Sequence, residues 1–291
     1  MQKIILFYKF TPLSDPKAVL LWQKQLCERL NLKGRVIIAD QGINATLGGD
    51  LKDLKSYVKE TKTYEPFKGI VFKWSDGKRE DFPKLSIKIR AELVTFGQKV
   101  KVDEKGVVNG GKHLKPSQVH KLVAEKGQEV VFFDGRNAYE AEVGRFKNAV
   151  VPDVEHTRDF AKELKKPKYN NIKNKSVITY CTGGIRCEVL SALMKENGFQ
   201  DVYQIDGGIV KYGEKYKDEG YWEGSLYVFD GRMGTKFSDR AKDIAKCVHC
   251  SSLTSNYENC ANKSCNKLIV VCEKCQRQTF CPKCQKAKVA A

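Results

Sequence analysis

The chain has 291 residues, 41% hydrophobic and 10% aromatic, and its 52 Lys and Arg against 35 Asp and Glu give a formal net charge of +17. Such a content excludes a chain that is disordered as a whole, and the length provides for two or three domains. The positive excess argues for a polyanionic partner such as RNA, although charge alone does not separate RNA from DNA or from a merely soluble lysine-rich surface.

The opening MQKIILFYKF has no small-residue cleavage site and reads as a strand over 3–11, not as a signal peptide. No apolar run approaches the roughly 20 residues of a membrane helix, so no membrane attachment and a cytoplasmic location are expected. A helix follows over 16–31, with Asp15 as N-cap, Pro16 in the first turn, and Val19, Leu20, Trp22, Leu26 and Leu30 as its apolar face. Two short strands (34–40 and 42–47), a second helix (50–61) and an alternating strand over 85–96 complete a βαββαβ order. That order predicts a ferredoxin-like or acylphosphatase-like α+β sandwich over residues 1–97. The stretch GINATLGG at 42–49 lacks the lysine and spacing of a P-loop and reads as a turn and an edge strand. Lys3, Lys9, Lys84 and Lys88 could follow an RNA backbone, or simply keep a strand soluble.

Residues 98–111 are polar and glycine-rich and read as a linker. Beyond it, a helix from Pro116 to Lys126, a buried-type strand over 129–134, a helix over 157–165, a polar spacer over 166–175, and strands at 177–180 and 202–205 alternate. Alternation of this kind predicts a parallel sheet with ligands bound beyond the carboxyl ends of its strands, here over residues 112–222.

The stretch that organises the chain is VITYCTGGIRCE, Val177 to Glu188, followed by the helical pattern Val189, Leu190, Leu193 and Met194. Cys181 ends a strand, Thr182, Gly183, Gly184 and Ile185 form the loop, and Arg186 and Cys187 open a helix. Backbone amides, a helix N-terminus and a guanidinium are the surroundings that favour a thiolate, which is the nucleophilic form of cysteine. Cys187 reads either as a packed helix residue or as a partner that resolves a persulfide or disulfide.

This loop resembles the active-site loop of the rhodanese family, and its spelling CTGGIRCE resembles one branch, the rhodanese-domain tRNA uridine hydroxylases. The run Asp134-x-Arg136, Glu140 and Gly144-x-Phe146-x-x-Ala149 is similar to the rhodanese pattern, and residues 1–97 and the Trp222 to Arg232 stretch are similar to that branch. Arginine stands five residues after the cysteine, one fewer than in related phosphatase loops, which implies a smaller guest than phosphate. The resemblance implies oxygen-dependent hydroxylation of carbon 5 of the wobble uridine of tRNA, with Cys181 as the essential cysteine and molecular oxygen as co-substrate. No Gly-x-Gly-x-x-Gly marks a flavin or nicotinamide site, and the four histidines form no two-His-one-carboxylate set. Sulfur transfer through a Cys181 persulfide is the alternative activity, and an inactive RNA-binding adaptor the non-enzymatic one. Asp134 and Arg136 read as an ion pair that supports the loop.

A connecting segment, 223–246, leads to a cysteine-rich module at 247–291, and residues 242–291 carry nine basic and three acidic residues. Cys247 and Cys250, Cys260 and Cys265, Cys272 and Cys275, and Cys281 and Cys284 make four close pairs, the ligand set for two structural zinc ions. Iron–sulfur binding stays open, as does the way the pairs combine, and His249 stands inside the first pair. So short a module cannot bury a sufficient core, so metal is expected to hold it together.

Overall fold

The computed structural model describes residues 1–276 and 280–289. Its first unit runs β1 (Gln2–Phe10), α1 (Pro16–Arg29), β2 (Lys33–Ala39), β3 (Gly42–Asp50), α2 (Leu51–Thr61), β4 (Phe72–Ser75) and β5 (Leu85–Ile89). The sheet order is β4-β1-β3-β2-β5, antiparallel except for β2 with β5. Asp15 caps α1, its carboxylate accepting from the amides of Lys17 at 2.9 Å and Ala18 at 3.0 Å. The side chains of Ile5, Phe7, Val36, Ile38 and Leu47 pack with Val19, Leu26, Leu54 and Tyr57 of the two helices in one core. Period-two alternation therefore sends Leu6 and Tyr8 to the opposite face, which no helix of this unit covers.

The acylphosphatase-like sandwich is present, with four departures from the sequence reading. The glycine-bounded β3 is a central strand, paired on both sides, and not an edge. Phe72–Ser75 adds a strand, so the order is βαββαββ. The strand expected over 85–96 stops at Ile89, because Leu93 and Phe96 leave the ladder to pack into the next unit. Helix α1 stops at Arg29, two residues short of the expected end, with Leu30 as its C-cap.

The expected linker holds a small hairpin, β6 (Val102–Asp103) with β7 (Gly106–Val107). The second unit follows as β8 (Lys112–Leu114), α3 (Pro116–Lys126), β9 (Val130–Asp134), α4 (Ala138–Glu142), β10 (Gly144–Phe146), α5 (Phe160–Glu163), β11 (Ser176–Tyr180), α6 (Ile185–Glu196), β12 (Asp201–Ile205) and α7 (Gly208–Tyr216). Strands β8-β12-β11-β9 form one all-parallel sheet. The helix expected over 157–165 is a single turn of α-helix after a 3-10 turn at Thr157–Asp159. The supposed spacer is a 3-10 helix, Pro167–Ile172, that buries Tyr169 and Ile172. Phe10, Ala39, Leu93 and Phe96 of the first unit share a hydrophobic cluster with Phe133, Val177, Leu190 and Leu193 of the second. The two sheets are thus joined by core, not by a tether.

The chain continues through β13 (Trp222–Gly224), β14 (Leu226–Tyr227) and β15 (Gly234–Thr235) to a hairpin of β16 (Tyr257–Asn259) and β17 (Leu268–Val270), then α8 (Pro282–Val289). Tyr257 and Val270 pack with Val143, Tyr227 and Ala245, and the Tyr257 hydroxyl donates to the Tyr139 carbonyl of α4.

At the carboxyl end of β9, Asp134 and the following Arg136 are fully buried, with Nε to Oδ1 at 2.9 Å and Nη2 to Oδ2 at 2.7 Å. Arg136 also donates to the carbonyls of Glu140 at 3.1 Å and Gly144 at 2.7 Å, tying β9, α4 and β10 together. Removing one member of such a pair strands the other charge. Arg136→Met should lower the free energy of unfolding by about 3–5 kcal/mol in urea titration, the range for breaking a buried pair.

Candidate active site

Strand β11 is buried throughout and delivers Cys181 to its carboxyl end. Gly184 then takes φ of 101° as the residue before α6, a conformation that suits glycine. This turn aims the Gly184 amide at the Cys181 sulfur, 3.2 Å away. The loop is also pinned from α7, where Ile209 and Val210 amides donate to the carbonyls of Cys181 at 3.0 Å and Thr182 at 3.1 Å. Gly208 makes this approach possible, since a Cβ there would fall 2.5 Å from the Cys181 oxygen.

Burial pushes the Cys181 thiol up, but the Cys187 thiol, the Arg186 guanidinium and the amides of Cys187 and Arg186 outweigh it and bring it down to about 6. Burial and the adjacent Cys181 charge push Cys187 well above the ordinary thiol range, so Cys187 keeps its proton and donates it toward Cys181. No disulfide joins the two.

Arg186 is held by a residue that the sequence reading quoted within a motif but did not assign to the site. The buried Glu140 carboxylate takes Arg186 in a fork, 2.5 Å from Nη1 and 2.8 Å from Nη2. Nη2 also reaches the Thr182 hydroxyl at 3.3 Å, and the guanidinium lies 5.6 Å from the Phe229 ring centroid. Asp134 and Arg136 do not line the cavity in front of the sulfur, whereas Cys181, Thr182, Gly183, Ile185 and Arg186 do.

Cys181 is only 1% exposed, and it lies in the wall of a half-enclosed cavity. The cavity holds about 660 Å³, within the range of small-molecule and nucleotide sites. Its far wall is the helix-free face of the first sheet, contributing Leu6, Tyr8, Arg35, Asn44, Thr46 and Lys73, and its rim comes from Leu226 to Phe237. Contact is close: a Cβ on Gly183 would fall 2.6 Å from Leu6 Cδ2, and one on Gly184 2.9 Å from the Tyr8 hydroxyl. Tyr8 donates to Glu188 at 2.9 Å, and His113 Nε2 lies 3.3 Å from the other Glu188 oxygen. Sequence pattern offered one signal for this wall, the alternation that leaves one face of β1 without a helix.

The tail cysteines gather in two sets, Cys247 with Cys250, Cys272 and Cys275, and Cys260 with Cys265, Cys281 and Cys284. Within each set the sulfur atoms lie within 4.8 Å of one another, which fits one four-coordinate metal ion apiece. First pair combines with third and second with fourth, a cross-braced arrangement, and His249 belongs to neither set.

The chain matches the family models described as UPF0176 acylphosphatase like domain over residues 2–93, Rhodanese-like domain over 115–215 and Rhodanase C-terminal over 223–287. Among solved structures, it is similar to the acylphosphatase from Bacillus subtilis, at 18% identity over 30% of this chain and 99% of that one, with a TM-score of 0.26. A tRNA uridine(34) hydroxylase of Corynebacterium urealyticum is 60% identical over 94% of this chain and 93% of its own. A second, from Corynebacterium kroppenstedtii, is 56% identical over 99% of both chains. Identity of this extent, over nearly the whole length of this chain and of each relative, makes the chain a member of the tRNA uridine(34) hydroxylase family.

Proposed function

We propose that this protein is a cytoplasmic enzyme that hydroxylates carbon 5 of uridine 34 in tRNA, with Cys181 as nucleophile and molecular oxygen as co-substrate. The observation that carries the reading is a thiol poised to ionise below neutrality at the wall of a half-enclosed, nucleotide-sized cavity. Uracil is electrophilic at carbon 6. Attack there by the Cys181 thiolate forms an S–C6 bond and moves the ring's π pair toward carbon 5, which becomes nucleophilic. Carbon 5 then takes one oxygen atom from a hydroperoxide, formed from molecular oxygen and an external two-electron reductant; the O–O bond breaks and its electron pair leaves on the other oxygen. Loss of the carbon 5 proton and departure of the thiolate restore the ring. Arg186, fixed by Glu140, keeps the sulfur anionic before attack and after release.

The two sets of four cysteines would hold two zinc ions, and because thiolate sets of this size are closed, the metal would shape the module and stay out of the reaction.

Measurements of tRNA modification, sulfur transfer, thiol reactivity and metal content test this reading. Cys181→Ser should abolish 5-hydroxyuridine in tRNA by mass spectrometry; unchanged modification removes Cys181 from the reaction. Rapid thiocyanate formation from thiosulfate and cyanide would favour persulfide transfer instead. The rate of Cys181 alkylation by iodoacetamide should rise with pH through a midpoint near 6, since only the thiolate reacts, and Arg186→Gln should move that midpoint upward by removing the favourable charge. Elemental analysis should find two zinc and no iron per chain, and stripping the metal should unfold the tail, read as new protease cleavage after residue 246.

A further inference from the structure

Lys73 lies on β4, in the first unit, yet lines the same cavity as Cys181. The register places it opposite Leu6, Leu6 opposite Thr46, and Thr46 opposite Arg35, one cross-strand row on the helix-free face. Leu6 in turn packs against Gly183 of the cysteine loop, so Lys73 is one strand removed from the reactive sulfur. Its Nζ sits 4.6 Å from the Tyr8 ring centroid and forms no ion pair with a carboxylate among the described residues. Of the other cations lining the cavity, Arg186 is committed to Glu140 and Arg232 to Asp230, while Arg35 is exposed and stands two strands from Leu6, at the far end of the row. A half-buried ammonium without an anion is costly to maintain, and the cavity it faces is where negative charge would develop.

We infer that Lys73 is a catalytic residue that donates a hydrogen bond to the uracil O4 as Cys181 adds to carbon 6. The inference rests on the addition chemistry proposed above. When the S–C6 bond forms, the π pair of the 5,6 double bond shifts to carbon 5 and on to O4, giving an enolate. An ammonium at O4 stabilises that charge, which the ground-state carbonyl carries only in part. The acylphosphatase-like sheet is then more than a wall, because it supplies the donor that stabilises the charge raised by a nucleophile borne on the other sheet.

Burial lowers the Lys73 ammonium to about 8. Cys181, Asp206 and Glu188 oppose the lowering and Lys211 adds to it, while Glu214 and His113 also face the ammonium and the Tyr8 ring covers one side. Addition needs the thiolate and the ammonium together, so its rate should rise with pH as Cys181 ionises and fall above about 8 as Lys73 loses its proton.

The test is the half-reaction, run without oxygen on a tRNA transcript carrying 5-tritiated uridine. After addition, carbon 5 takes a solvent proton and loses its triton, and expulsion of the thiolate returns uridine with tritium in water. The wild-type chain should release tritium and Cys181→Ser should not. At saturating tRNA, Lys73→Met should be slower by about 100-fold, as for the loss of one oxyanion donor. Lys73→Arg should keep most of the rate and move the falling limb of the pH profile upward, which a merely structural lysine would not do. Release by Lys73→Met at the wild-type rate, or a loss cured entirely by more tRNA, overturns the assignment while leaving the addition chemistry standing. No release by the wild-type chain overturns both.

Discussion

The fork between Glu140 and Arg186 is the constraint on which the site depends. A cation sealed under a thiol would be expelled toward water unless a carboxylate held it, and Glu140 holds it at both nitrogens from inside the protein. Because Glu140 is itself fully buried, neither partner can be lost without stranding the other. The result is a positive charge with a fixed position, pressed against Cys181 whatever the solvent does. Beneath it the Asp134 and Arg136 pair repeats the device for the backbone, grasping the carbonyls of Glu140 and Gly144. Two buried ion pairs are thus stacked in series, one shaping the segment that carries Glu140 and one using Glu140 to set the sulfur's charge.

A second dependence runs between the sheets. The first unit spends one face on its own helices and offers the other to the cysteine loop, and the shared cluster around Phe10, Phe96 and Phe133 keeps the offer in place. Tyr8 bonding to Glu188, in the first turn of α6, couples the wall to the helix whose N-terminal end cradles the sulfur. At the opposite side the cysteine-rich tail leans on α4 through Tyr257 and the Tyr139 carbonyl, one residue from Glu140.

What could be read from the sequence was local. Strand, glycine turn and helix around Cys181 are contiguous, so spacing alone displayed the loop, and the paired tail cysteines displayed their chemistry the same way. What could not be read was remote. Glu140 lies 46 residues before Arg186, and only the fold brings them together. The partition of the tail sulfurs depends on how the chain crosses itself around β16 and β17, which four similar pairs cannot announce. Strand β4 is four residues long and half-buried throughout, too short for alternation to stand out. The central position of β3 was hidden by glycines that resemble a turn, and Leu93 and Phe96 kept a strand-like pattern while serving a different core. In each case long-range packing decided a matter that local propensity had left ambiguous.

The half-enclosed cavity carries a consequence for any shortened form of the chain. Its surfaces are drawn from residues near the start, from the cysteine loop and from the segment at Leu226 to Phe237. A rhodanese-like fragment excised alone would lay its reactive sulfur bare to dissolved peroxides and competing thiols. Integrity of the full polypeptide therefore guards the sulfur against chance oxidation, and limited proteolysis anywhere along these walls would convert a sheltered reagent into an indiscriminate one.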